Sequence, residues 1–261
     1  MNICYKCWNY YNLFIDYNIS NSLSGLSLIF FIYIGLWIMI LNLFILSSDY
    51  LIKYLPISNK KHENNKLIIT HNLISSFKGL IVSTLSNYGI IIIWNNDNLI
   101  YNENIYIYLS GIIFTSYEFV DLIFGLYNRL HDSTMIIHHI IHFVLGIIMI
   151  INCGPVFNAA ILLSQETSTI FLGIYSIMKN RYSNHYITNY LFYLFTLNFL
   201  FFRICLGTYG IYYFINNYNK ISNYLPYIQL NFMFFSILIG VILQFNWAIK
   251  NLIKIIKNLI K

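Results

Sequence analysis

The chain has 261 residues, 58% of them hydrophobic and only 9% charged, whereas a soluble domain carries about 25% charged residues. That shortage of polar surface excludes a water-soluble globule and predicts an all-α integral membrane protein. The formal charge of +6 informs by its placement more than its sum, and nucleic acid is not an expected partner. Of the four cysteines, Cys4 and Cys7 form a "CYKC" that lacks the second pair a zinc site needs, so they are read as loose thiols with Cys153 and Cys205. Asp16 and many Asn residues interrupt the N-terminal stretch before any apolar run, so no cleavable signal peptide is expected.

A helix needs about 20 mostly apolar residues to cross the hydrocarbon core, and seven stretches qualify, at roughly 25–47, 68–94, 105–127, 135–152, 155–178, 187–215 and 224–250. The fourth and fifth are joined by "NCGP", a tight turn with no room for a soluble insert. The basic residues support an odd number of spans. With a lumenal N-terminus, Lys53, Lys60, Lys61, Lys66, Arg129, Lys179, Arg181, Lys250, Lys254, Lys257 and Lys261 fall on the cytoplasmic side, against Lys6 and Lys220 opposite. The recurring lysines of the tail are expected to snorkel to an anionic cytoplasmic leaflet.

Taken in chain order, the spans carry a short polar set. The second places His71, Ser75 and Lys78 on one stripe, and Lys78 is expected to snorkel toward the interface. The third places Glu118 and Asp121 three apart on one face. In the loop that follows, Asp132 or Ser133 is expected to cap the next helix, and His131 is left without a role. The fourth span, "MIIHHIIHFV", stacks His138 and His142 at i, i+4 and turns His139 about 100° away. The fifth carries Ser164 to Ser168 ("SQETS"), the sixth Asn198 and Arg203, the seventh Ser236, Gln244 and Asn246. Ser75, Ser168, Asn198 and Ser236 read as interhelical glue. Arg203 reads either as a structural partner of Asp121 or Glu166 or as a ligand-binding cation. His62 and His185 are loop residues with no case behind them.

Lipid satisfies none of these polar groups, so they are expected to converge on a shared interior. Three chemistries suit three clustered histidines. A di-iron oxygenase needs several histidine boxes, and this chain has one cluster. A zinc hydrolase could use His138 and His142 with His71 or a carboxylate, but no HExxH signature supports it. Acyl transfer, in which an adjacent histidine pair acts as base or nucleophile near a lipid amine or hydroxyl, is the third.

The ordered segments "IITHNLISSFKG", "TSYEFVDLI", "MIIHHIIHFV", "LLSQETSTIFL" and "FFRI" resemble the TLC-domain family, which includes the ceramide synthases. The resemblance places that family's acidic position at Asp121, its His-His pair at His138 and His139, its small-polar-Glu segment at Glu166 to Thr169, its earlier His-bearing span at His71 and its aromatic-Arg segment at Arg203. It departs from the synthases in having His142 where they carry Thr, and a single Glu166 where they carry paired aspartates. The chain is therefore more similar to the non-synthase branch. The family implies a six-helix bundle, here spans two to seven, around an elongated lipid-sized cavity, with the first span as an extra helix. The expected organisation is an N-terminal segment over 1–66, a TLC domain over 67–250 and a basic tail over 251–261.

The resulting expectation is a protein of membrane lipid metabolism or homeostasis. Acyl transfer would use His138, His139, Glu166 and Asp121 as catalytic residues, with His71, Glu118, His142 and Arg203 lining the cavity. The alternatives are non-catalytic lipid binding or transport, regulation of membrane composition, and a zinc-dependent lipid amidase. No cofactor or metal is expected, though acyl-CoA would serve as co-substrate. Membrane lipids are the expected partners, a homodimer is left open, and the resemblance suggests the endoplasmic reticulum.

Overall fold

The computed structural model describes residues 23–54, 66–94, 104–152, 155–181, 186–223 and 225–259. Cys4, Cys7, Cys153, His62 and His185 lie outside them. The described residues form helices and no strand: α1 (Leu23–Tyr54), α2 (Lys66–Trp94), α3 (Ile105–Tyr127), α4 (Ser133–Asn152), α5 (Val156–Ser164), α6 (Thr167–Arg181), α7 (Tyr186–Asn198), a π-helical turn (Phe199–Cys205), α8 (Leu206–Asn216), the short α9 (Tyr218–Ser222) and α10 (Tyr227–Leu259). Seven segments among them are long and apolar enough to cross a membrane: Ser27–Ser47, Lys66–Trp94, Ile105–Tyr127, Ser133–Ile151, Val156–Lys179, Tyr186–Asn216 and Tyr227–Lys257. These are the seven that hydropathy predicts.

Spans two to seven close into a ring. α3 packs between α2 and α4, α4 meets α10, α10 leans on α7, the π turn and α8, and α5 with α6 returns to α2. α1 stays outside the ring against α2 and α3, anchored where Trp37 Nε1 donates to the Ile113 carbonyl at 3.2 Å. Large apolar side chains such as Leu46, Tyr190, Ile228 and Ile242 are exposed around the perimeter. In water such a surface would aggregate; in a bilayer it is the lipid-facing rim.

Local chemistry sets the helix ends that frame the site. Asn104 caps α3 by accepting from the Tyr106 and Ile107 amides. Asp132 caps α4 by accepting from the Met135 amide at 2.8 Å, as the sequence predicts. Between them α3 ends in a Schellman turn: Leu130 N donates to Gly125 O at 2.8 Å and Arg129 N to Leu126 O at 3.3 Å. Arg129 occupies the left-handed position, at φ 54, where glycine is the usual residue.

Two interruptions escape hydropathy. The fifth span breaks at Gln165 and Glu166, where Gln165 N bonds Leu162 O and Glu166 N bonds Leu163 O. The hydroxyls of Ser164, Thr167 and Ser168 each donate to a carbonyl three residues back, competing with the helical ladder. In the sixth span, the π turn carries Arg203. Asn198 is not interhelical glue, because its amide donates to Leu194 O in its own helix.

Candidate functional site

The buried charges form one continuous chain across the bundle. At its centre is Lys78, only 3% exposed. Its Nζ donates to Glu166 Oε2 at 2.6 Å and Glu118 Oε1 at 3.4 Å and lies over the rings of Phe114 and Tyr117. This corrects the snorkelling expectation. Lys78 is twelve residues into α2, about 18 Å along the axis at 1.5 Å per residue, too deep for its stem to reach either interface. Gly79 beside it lets α2 approach the break in the fifth span, since a Cβ there would stand 3.0 Å from the Glu166 carbonyl oxygen.

Glu166 is thus committed to cations. Arg203 approaches its Oε1 at 3.8 Å but bonds mainly to hydroxyls, donating from Nε to Ser168 Oγ at 2.7 Å and from a terminal nitrogen to Thr169 Oγ1 at 3.0 Å. Of the two partners predicted for Arg203, Glu166 is the one it faces. Ser168 does link helices, by accepting from this arginine.

On the other side of Lys78, Glu118 joins the chain to the histidines. His139 Nδ1 donates to Glu118 Oε2 at 2.5 Å, and His139 Nε2 lies 3.2 Å from Asp121 Oδ2. Asp121 is surrounded: His71 Nε2 is 2.9 Å from Oδ1, His131 Nε2 is 3.3 Å from Oδ2, and the Tyr117 hydroxyl donates to Oδ1 at 3.2 Å. His131, left without a role by its loop position, is therefore part of the site. The Schellman turn folds it back over Gly125, where a Cβ would collide with its ring. Its place ten residues after Asp121, across a helix end, is the signal that could have found it.

The two adjacent histidines face different surroundings. His139 is 8% exposed at its side chain and flanked by two carboxylates. His138 makes no side-chain hydrogen bond among the described residues; its ring lies 4.1 Å from that of His142 and 6.1 Å from that of Trp247. His142 borders a cavity between α4, α5, α8 and α10, also lined by Asn158, Gln165, Ser236 and Gln244. Its volume is about 30 Å³, room for about two waters and far short of an acyl chain. This pocket is therefore not the lipid-sized cavity that the resemblance implies. The predicted residues thus separate into three groups: His71, Glu118, Asp121 and His139 together; Glu166 with Arg203; His138 with His142.

No curated protein matches the chain. Residues 64–252 match the TLC domain, which covers spans two to six, most of the seventh and every residue of the charged chain just described. With seven membrane-crossing helices and this match over most of its length, the chain is an integral, multi-pass member of the TLC-domain family.

Proposed function

We propose that the protein acts in membrane lipid metabolism as an acyltransferase of the bilayer, moving a long acyl chain from a thioester donor such as acyl-CoA to a lipid amine or hydroxyl. One observation carries the reading: of two adjacent intramembrane histidines, one is locked between carboxylates while the other keeps its ring nitrogens uncommitted. His138 is the catalytic residue in this reading. Its neutral imidazole attacks the thioester carbonyl, the C–N bond forms as the C–S bond breaks, and the thiolate leaves with the imidazole proton. The lipid acceptor then attacks the acyl-imidazole, releasing His138 as its own proton passes to the ring. His139, fixed by its hydrogen bond to Glu118, is a positioning residue that holds the inward edge of α4. Glu166 serves Lys78 and Arg203 and has no contact with either histidine in this arrangement.

Lipid binding without chemistry is favoured by a different observation, that Lys78, Glu118, Glu166 and Arg203 already satisfy one another. The departures at His142 and Glu166 favour the non-synthase branch in either case. We place the protein in the endoplasmic reticulum with its N-terminus lumenal, on the family resemblance and the basic residues of the connecting segments. The deciding experiment supplies the protein in nanodiscs with long-chain acyl-CoAs and sphingoid bases and reads products by mass spectrometry. An N-acyl or O-acyl product made by wild type and lost in His138→Ala supports transfer. Lipid that co-purifies and exchanges, with donor left intact, supports binding alone.

A further inference from the structure

Among the described residues, three carboxylates in the buried chain, Glu118, Asp121 and Glu166, face two fixed cations, Lys78 and Arg203. A buried carboxylate left without a countercharge is costly, so a third positive charge is required. Asp121 is the acid without one, because its neighbours are His71, His131, His139 and Tyr117.

We propose that His71, Asp121 and His131 bind a divalent first-row transition metal ion, with Zn²⁺ the ion their donors suit. Their ligand atoms all lie within 4.8 Å of one another. Ligands at the usual 2.0–2.1 Å from a tetrahedral zinc stand about 3.3 Å apart; His71 Nε2 is 2.9 Å from Asp121 Oδ1, and His131 Nε2 is 3.3 Å from Oδ2, the other oxygen of the same carboxylate. Two imidazoles with one carboxylate form a borderline N/O set that takes zinc.

A second observation points the same way. Of the proposed ligands, His71 Nε2 is buried, stands 2.9 Å from Asp121 Oδ1, and yet makes no hydrogen bond. A nitrogen that closes on a carboxylate without aligning with it is placed as a ligand beside a shared cation is placed. A cavity of about 10 Å³ beside His71 and Asp121, walled otherwise by Trp37, Leu41, Ile74, Tyr117, Val120 and Phe124, is about the size of one water. The site lies near the end of the bundle where α2 begins and α3 ends, giving an ion a short path from water. His139, through Glu118, links it to the rest of the chain. Binding through His131 Nε2 replaces that nitrogen's contact with the Asp121 carbonyl oxygen and puts the ring proton on Nδ1.

This set differs from the His138 and His142 pair that the sequence suggested for zinc, and it does not depend on acyl transfer. The test uses the full chain in nanodiscs, stripped with chelator, reloaded with Zn²⁺ or Co²⁺ and freed of excess metal. Wild type should retain about one ion per chain by elemental analysis, and the Co²⁺ form should show the visible absorption of a four-coordinate site. Asp121→Asn and His131→Gln should weaken binding at least tenfold, while His142→Ala binds as wild type does. His131→Cys should restore retention and add a thiolate-to-cobalt band in the near ultraviolet, which a merely misfolded variant would not do. Substoichiometric metal in wild type, or unchanged affinity in His131→Gln, overturns the proposal and leaves a histidine proton as the third charge. Metal binding in a protein that makes no acyl product would sustain this inference and sink the transferase reading.

Discussion

In the most apolar stretch of α3, 61% of the residues are buried, against 17% in that of α4, although the two helices pack together and build the site. α3 carries the acids. An ionised carboxylate cannot face hydrocarbon, so its helix must be enclosed on nearly every side, by α1, α2, α4 and α5. α4 carries histidines, which can be neutral, and needs only one inward edge; Ile137 and Ile140 on its other faces meet lipid. Acid positions therefore fix the architecture, whereas histidine positions adjust its chemistry.

The sharpest way to break this contrast is to remove the cation on which the α3 side depends. Lys78→Met leaves Glu118 and Glu166 without their shared partner and should cost about 3–5 kcal/mol, read as a lowered thermal unfolding midpoint in nanodiscs. Adding Glu166→Gln should recover part of that loss; a double variant no better than the single one would mean that the pair is not coupled. A smaller effect separates the two residues on the α4 edge. His139→Ala removes the donor to buried Glu118 and should cost about 1–3 kcal/mol, whereas His138→Ala, which leaves no hydrogen-bond partner behind, should cost less. Equal losses would erase the distinction between locked and free histidine. The smallest effect tests the connection between the helices. Arg129 holds a left-handed backbone that costs a non-glycine residue about 1–2 kcal/mol, so Arg129→Gly should raise stability by about 0.5 kcal/mol after glycine's greater entropy loss. A fall in stability would show that the arginine side chain matters more than its backbone.

Sequence made the spans legible because length and apolarity alone decide what crosses a bilayer. It also paired Glu118 with Asp121 and separated His139 from His138, since helical spacing fixes which side chains share a face. Helical spacing puts Lys78 on the right stripe with His71, but snorkelling gives it the wrong depth, because a stem that can snorkel near an end cannot do so twelve residues in. His131 was hidden by the turn that folds it back, a tertiary effect with no periodicity. The break at Glu166 and the π turn at Arg203 were unreadable for a related reason: both depend on backbone hydrogen bonds exchanged with hydroxyls or shifted by one residue, which hydropathy does not register.

Biosynthesis gives the Lys78–Glu118 contact a further meaning. The second and third spans leave the ribosome before the fifth exists, so each must enter the membrane with its charge uncovered by Glu166 or Arg203. Because Lys78 and Glu118 lie on consecutive spans and already meet at 3.4 Å, a nascent hairpin can neutralise both at once. The later half of the chain then docks onto a pair that has already survived insertion.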